Sequence, residues 1–380
     1  MSRILYVITE LDVGGAEKAL CELATGLGGA FQPEVACLGG EGPLGAPLRA
    51  RGVPLHVLGA RRKWDLRVLW RLRRLIKGAD IVHSFLFHAN MAARLAAIGT
   101  GVTAVVCSAR VAERSRPRRR KLECWTHRLV NVEVCVSNGV RDFLAAGGFP
   151  REKLVVIPNG VDARRFEGRD PAFKERLGIS PDTPLVATIG RLHEQKGMAY
   201  FLRAAASVRH SRPKCHFLLV GTGPLEAELR ALAKQLHLEG SVTFFGYCGD
   251  VPSVLKATDV FVLASLWEGM PNAVLEAMAA GAPVVATRVE GVADILEHER
   301  TGVLVLPRDV PGLAGALLRL LNDPARGARL AQAAQSHVRE HFRIETMVRR
   351  HEQLYADLMA RAAQMTQAPA RSATPTRSKR

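Results

Sequence analysis

The 380-residue chain has no apolar run of the roughly eighteen residues that a membrane-crossing helix needs. Its opening stretch, MSRILYVITELDVGG, carries one Arg, a short strand-like run and then acids and glycines, so neither a secretory leader nor a membrane span is expected there. Cysteine is sparse and scattered: Cys21, Cys37, Cys107, Cys124, Cys135, Cys215 and Cys248 are odd in number and lack C-x-x-C spacing. That pattern argues against a disulfide framework and a zinc site, and points to the reducing cytoplasm. The glycine pair after the first strand, GGAEKAL (14–20), does not read G-x-G-x-x-G, so the dinucleotide fingerprint is absent at that loop, and no D-x-D acid pair is present to hold a metal. Acidic residues are in short supply, 36 against 53 basic ones, for a net charge of +17. Much of the excess gathers at RRK (61–63), RLRR (71–74) and RSRPRRRK (114–121). Such clusters suit an anionic surface, either nucleic acid or the acidic face of a membrane, and equally a plain solvated basic face. Nucleic acid ranks lower, because no aromatic-interleaved sheet, helix-turn-helix or zinc module accompanies the charge.

What the chain does have is rhythm. Short β-branched runs alternate with helical patterns: RILYVIT, PEVACL, PLHVL, ADIVHSF, TAVVCSA and VEVCVS in the first half. LVATIGR, CHFLLVG, SVTFFG, DVFVLAS, APVVAT and GVLVLP follow in the second half. This alternation predicts α/β architecture, with parallel sheets covered by helices on both faces. Turn residues and charge near 165–183 interrupt the rhythm, so the expectation is two Rossmann-like domains, 1–170 and 171–345. A helix over 346–366 is expected to pack back toward the first domain, and 367–380 has the composition of a disordered tail. Ligands of such sheets sit at the carboxyl ends of the strands, so function is sought in strand-to-helix loops facing a cleft.

Four such loops carry chemistry. In SLWEGMPNAVLEAMAAGAPVVA (265–286), Glu268 precedes a turn and Glu276 lies within the helix that follows. Pro271 is expected as the first helical residue, and free N–H groups around Met270 to Ala273 would form an anion site. Such a site followed by Glu276 can hold a nucleotide, the carboxylate accepting from ribose hydroxyls while Glu268 reads a sugar. TIGRLHEQKG (188–197) places Arg191 and Lys196 beside a second helix start, a natural diphosphate clamp. GGAEKAL (14–20) puts Gly14 and Gly15 where backbone can approach a phosphate or sugar, with Glu17 an ordinary first-turn acid. DIVHSFLFHAN (80–90) brings His83 and His88 to a strand end and a helix start.

E-G-M-P-N-A-V-L-E resembles the E-x7-E signature of retaining glycosyltransferases, and with AMAAGAPVVAT and DVFVLAS around it the chain resembles glycosyltransferase family 4, of GT-B fold. The resemblance implies a donor site of Gly15, Arg191, Lys196, Glu268 to Asn272, Val274, Leu275 and Glu276, with Gly246 and Val251 of FFGYCGDVP beside the base. It implies that Glu268, Arg191, Lys196 and His88 serve the reaction, and that Gly14 with His88 or His83 lies on the acceptor and sugar side. Phe85 stands where the family often has a second His. IPNGVD (157–162) is a hallmark of the region between the domains. The implied activity is transfer of a sugar, with retained anomeric configuration, from UDP- or GDP-sugar, UDP favoured, to an acceptor hydroxyl. No cofactor and no metal are expected, and the acceptor is expected to be lipid-linked or a saccharide at the inner face of the cytoplasmic membrane. A GT-B epimerase or phosphorylase, or a non-catalytic nucleotide-sugar-binding protein, would share the fold.

Overall fold

The structure is a computed structural model that describes residues 1–60, 65–113, 116–168, 170 and 172–367. The basic residues at 61–63 and 114, and the tail from 368, lie outside that description. Each half of the chain builds one parallel sheet, the two-part α/β architecture that the alternating pattern predicts. The first sheet holds β1 (Ser2–Ile8), β2 (Phe31–Cys37), β3 (Leu55–Val57), β4 (Ile81–Phe85), β5 (Ala104–Ala109), β6 (Val132–Cys135) and β7 (Leu154–Val156). The second holds β8 (Leu185–Ile189), β9 (His216–Val220), β10 (Val242–Gly246), β11 (Val260–Leu263), β12 (Val284–Thr287) and β13 (Val303–Val305). β4, β5 and β9 are buried along their whole length, as strands covered on both faces must be.

Strand order decides where ligands go. The first sheet runs β3-β2-β1-β4-β5-β6-β7 and the second β10-β9-β8-β11-β12-β13. Connections therefore reverse direction between β1 and β4, and again between β8 and β11. At such a reversal the loops leave in opposite directions and a crevice opens beyond the strand ends. The four chemistry-bearing loops follow β1, β4, β8 and β11.

One apolar core passes from one sheet to the other, joining Cys135, Val136 and Val140 to Met270, Val274 and Leu275. The Asp294 carboxylate of the second half also accepts from the Asn138 N–H at 2.6 Å. The long helix Ile344–Gln367 returns to the first sheet, burying Met347, Val348, Tyr355 and Leu358 in its core.

Candidate active site

The loop after β8 and the loop after β11 are stitched together by backbone. Leu266 N–H donates to the Gln195 carbonyl at 2.8 Å, and the Gln195 amide donates to the Trp267 carbonyl at 3.0 Å. Gly197 turns the first loop with φ 60°, and a Cβ there would lie 2.0 Å from the Ala264 carbonyl oxygen, so a side chain is excluded. The stitch carries Lys196 onto Glu268: Nζ meets Oε1 at 2.6 Å, and Ser265 Oγ donates to the same oxygen at 2.7 Å. Glu268 is only 4% exposed, so the lysine supplies the charge that makes its burial tolerable. Oε2 has no partner among the described residues. Arg191 is exposed, and its side chain makes no hydrogen bond or ion pair among the described residues. The two cations expected side by side thus differ: Arg191 is uncommitted, whereas Lys196 is aimed by a carboxylate.

Beyond Glu268 the chain passes through Gly269, where a Cβ would lie 1.9 Å from the Arg110 carbonyl oxygen of the first half. Close contact between the two halves requires glycine there. Pro271 is the N-cap (φ −77°, ψ 110°) and the helix is Asn272–Ala279. It precedes the first helical position instead of filling it, a shift of one residue at an element boundary. The Asn272 and Ala273 N–H groups take no partner among the described residues, while Val274 N–H closes onto the Pro271 carbonyl at 3.1 Å. Val274 is wholly buried in the core, so its side chain cannot meet a donor; Met270 is 7% exposed and its Sδ accepts from the Asn159 N–H at 3.2 Å. Glu276 lies about one turn into the helix, on the cleft face, 3.6 Å from Lys18 Nζ across the gap.

On the opposite lip, Gly14 is extended and caps the Gly15–Gly26 helix, and the Gly15 carbonyl accepts from Asn272 Nδ2 at 3.4 Å. The lips therefore touch at the residue pair the two glycine and asparagine motifs supply. Glu17 is held above the usual carboxylate range by burial, against the charges of Arg191 and Arg110. His88 is half-buried at the start of the Phe87–Ala97 helix, its Nε2 3.3 Å from Arg119 Nη2.

His83 does not reach the cleft. It is fully buried, with Nδ1 2.7 Å from the Tyr355 hydroxyl and Nε2 2.9 Å from Ser108 Oγ. Burial pushes its pKa well below the usual imidazole range, so it is a neutral core residue and the acceptor-side role is withdrawn. The physical reason is strand alternation: His83 points to the face that the final helix covers.

Between the lips lies a cavity of about 270 Å³. Lys18 and Arg51 form one wall, Asn272, Leu275 and Glu276 the other, and Tyr247, Cys248 and Val251 close one end. Gly246 itself stands back from it, in positive φ (75°), its carbonyl accepting from Gly221 N–H at 2.7 Å to end β10. Lys18, Tyr247 and Asn159 are site neighbours that lie inside the quoted motifs without being singled out by them, and Arg110 lies outside the motifs. Arg110 occupies a strand end, the position that flags the others, yet an arginine-rich chain hides it. No cluster of three or more His, Cys, Asp or Glu suited to a metal occurs among the described residues.

Known proteins match both halves of the chain. The family model "Glycosyltransferase Family 4" matches residues 13–165, and "Glycosyl transferases group 1" matches 183–323. The UDP-Gal:alpha-D-GlcNAc-diphosphoundecaprenol alpha-1,3-galactosyltransferase of Escherichia coli is 29% identical over 78% of this chain and 80% of its own length. The N-acetyl-alpha-D-glucosaminyl L-malate synthase of Bacillus anthracis is 31% identical over 55% of each chain, so the match spans about half of that relative. Among solved structures, Anabaena HepE in complex with UDP and glucose superposes with TM-score 0.87 at 21% identity, covering 94% of this chain and 100% of the other. Sucrose-phosphate synthase from Thermosynechococcus elongatus gives 0.80 at 21% identity, covering 95% and 100%. With both of its halves matched, and with two facing Rossmann-like sheets of GT-B form, this chain belongs to the glycosyltransferases of family 4, group 1.

Proposed function

We propose that the chain is a retaining glycosyltransferase that moves a sugar from a nucleotide diphosphate, UDP ahead of GDP, to a hydroxyl of a lipid-linked or cell-surface saccharide precursor, without a resident metal. One observation carries the reading. The Lys196–Glu268 pair, the unpaired amides of Asn272 and Ala273, and Glu276 lie along one crevice at the β8/β11 reversal, which ends in the cavity beside Tyr247 and Val251. The names of the Escherichia coli relative and of the HepE complex, both with a uridine nucleotide, support the donor class.

In this reading the bond from the anomeric carbon to the diphosphate breaks first, and charge grows on the leaving oxygen. Arg191, Lys196 and the amides at 272–273 stabilise that charge, reinforced by the positive end of the helix. The acceptor hydroxyl enters from the face the diphosphate has left, forms the new bond with retention, and passes its proton to a leaving phosphate oxygen. Glu268 Oε2 is available to the sugar hydroxyls, Glu276 to the ribose, and His88 stands on the sugar side. Orientation is the protein's main contribution.

A surface of the first domain supports action at the acidic inner face of the cytoplasmic membrane. The Leu66–Ile76 helix exposes Leu66 (77%) and Trp70 (55%), with the Arg74 guanidinium 3.6 Å over the Trp70 ring, and the Pro117–Trp125 helix exposes Arg118, Lys121 and Trp125 (80%). No helix among the described residues is long and apolar enough to cross a membrane, so the contact proposed is peripheral. Sedimentation with anionic liposomes should fall with salt and on neutralising Arg118 to Lys121; no sedimentation at all speaks for an acceptor away from the membrane, and salt-independent sedimentation overturns the role of the basic residues.

The activity is tested with a panel of nucleotide sugars. Binding of UDP, slow donor hydrolysis insensitive to EDTA, and an α-linked product from an α-linked donor are expected. An inverted product or EDTA-sensitive turnover would overturn the mechanism. Turnover of a sugar phosphate instead would indicate a phosphorylase, and donor binding without hydrolysis a binding protein.

A further inference from the structure

Arg110 follows directly after β5, on the first-domain side of the cleft. It is 8% exposed, and its Nη2 donates to Asn159 Oδ1. Its guanidinium carbon lies 5.6 Å from the centre of the Phe85 ring. No carboxylate lies within ion-pair distance of it among the described residues, and Glu17 acts on it only from farther off. Burial lowers its pKa to about 10. A guanidinium has five N–H groups, and Asn159 satisfies one side of the fork. A buried cation in that condition is costly unless an anion meets it.

The guanidinium is also pinned. The Arg110 backbone carbonyl abuts Gly269, and the guanidinium's partner Asn159 donates through Nδ2 to Asn272 Oδ1 at 2.7 Å. Asn272 in turn lines the cavity. Arg110 is thus fixed at the junction of the β5 end and the donor-side helix start.

We propose that Arg110, positioned by Asn159, is the anchor of a phosphate subsite that takes a phosphoryl group carried by the acceptor. The proposal rests on the donor reading above, because Arg191, Lys196 and the amides at 272–273 already meet the needs of the donor diphosphate. A phosphoryl group presents two oxygens to the planar fork, which a neutral sugar hydroxyl does not. The acceptor would then be recognised by its anionic end as well as by its hydroxyl, as a lipid phosphate or diphosphate is.

The test uses the full chain with UDP and inorganic phosphate as probes. Wild type saturated with UDP should bind phosphate, read from ³¹P line broadening, and R110Q should weaken that binding at least about tenfold while shifting UDP affinity less than about threefold. R110K, which keeps the charge and loses the fork, should weaken it less, and it serves alone should R110Q fail to fold. Loss of about tenfold or more in UDP affinity in either variant would assign the phosphoryl group to the donor and overturn the acceptor subsite. Phosphate binding that is absent from the UDP-loaded wild type, or equal in wild type and variant, would mean there is no subsite at all. Wild-type affinity for UDP reports separately on the donor reading, so the two can fail independently.

Discussion

The crevice beyond β8 and β11 and the crevice beyond β1 and β4 arise from the same topological reversal, yet they are built in opposite ways. On the β8/β11 side the chemistry is local: Lys196 and Glu268 meet because two loops that leave adjacent strands are tied by the Gln195 bonds. On the β1/β4 side it is long-range: His83 is bound to Tyr355, and Tyr355 to Tyr6 at 3.1 Å, so the final helix completes the first sheet's polar core. A diphosphate needs one fixed arrangement of charges and amides, which a strand-loop-helix unit supplies by itself. The polar core beneath β1 and β4 depends on chain far away. Substitutions on the two sides should therefore separate activity from stability.

The largest effect is expected for Lys196→Ala, which removes a cation proposed to act on the leaving group and strands the buried Glu268. Donor turnover should drop about 10²- to 10³-fold, measured as release of UDP. Lys196→Ala/Glu268→Gln should lose little more than Lys196→Ala alone, because the two residues act as a pair. Full additivity would show that they work independently. Next comes Glu276→Gln, expected to weaken UDP binding about tenfold in calorimetry with the melting temperature nearly unchanged.

Tyr355→Phe should do the reverse. Losing the hydroxyl that joins Tyr6 and His83 should lower stability by roughly 1–2 kcal/mol in denaturant titration, with UDP affinity retained. A fall in UDP affinity without loss of stability would break the division between the two crevices.

A further test is pH. Burial depresses the pKa of His83, and that of His351 to about 4, so in the folded state both stay neutral where the unfolded chain takes up protons. Stability from these residues is complete above the unfolded value of about 6.5 and is lost as pH falls toward 4, at up to ~1.4 kcal/mol per pH unit for each histidine. Denaturant midpoints measured from pH 7 to 4.5 should fall, and His351→Phe should flatten the slope; a midpoint independent of pH would contradict the buried, neutral assignment.

The same contrast explains what the sequence disclosed. The paired sheets were legible because buried parallel strands need continuous β-branched runs. Glu268, Glu276, Arg191 and Lys196 were legible because each lies in the loop, or the helix start, that directly follows a strand. Pro271 was misplaced by one position, because propensity marks a helix start without resolving whether proline caps it or opens it. His83 misled because its neighbours in sequence advertise a cleft edge, while the groups that bury it, Tyr355 and His351, lie on the far terminal helix. Arg110 also follows a strand end, but in a chain with 53 basic residues nothing else in the sequence set it apart.

A crystal structure of the full chain with UDP bound bears most directly on the central claim. The β-phosphate should rest against the Asn272 and Ala273 N–H groups within reach of Arg191 and Lys196, and the ribose hydroxyls should bond to Glu276. Nucleotide found outside the β8/β11 crevice, or with its ribose turned away from Glu276, would contradict it.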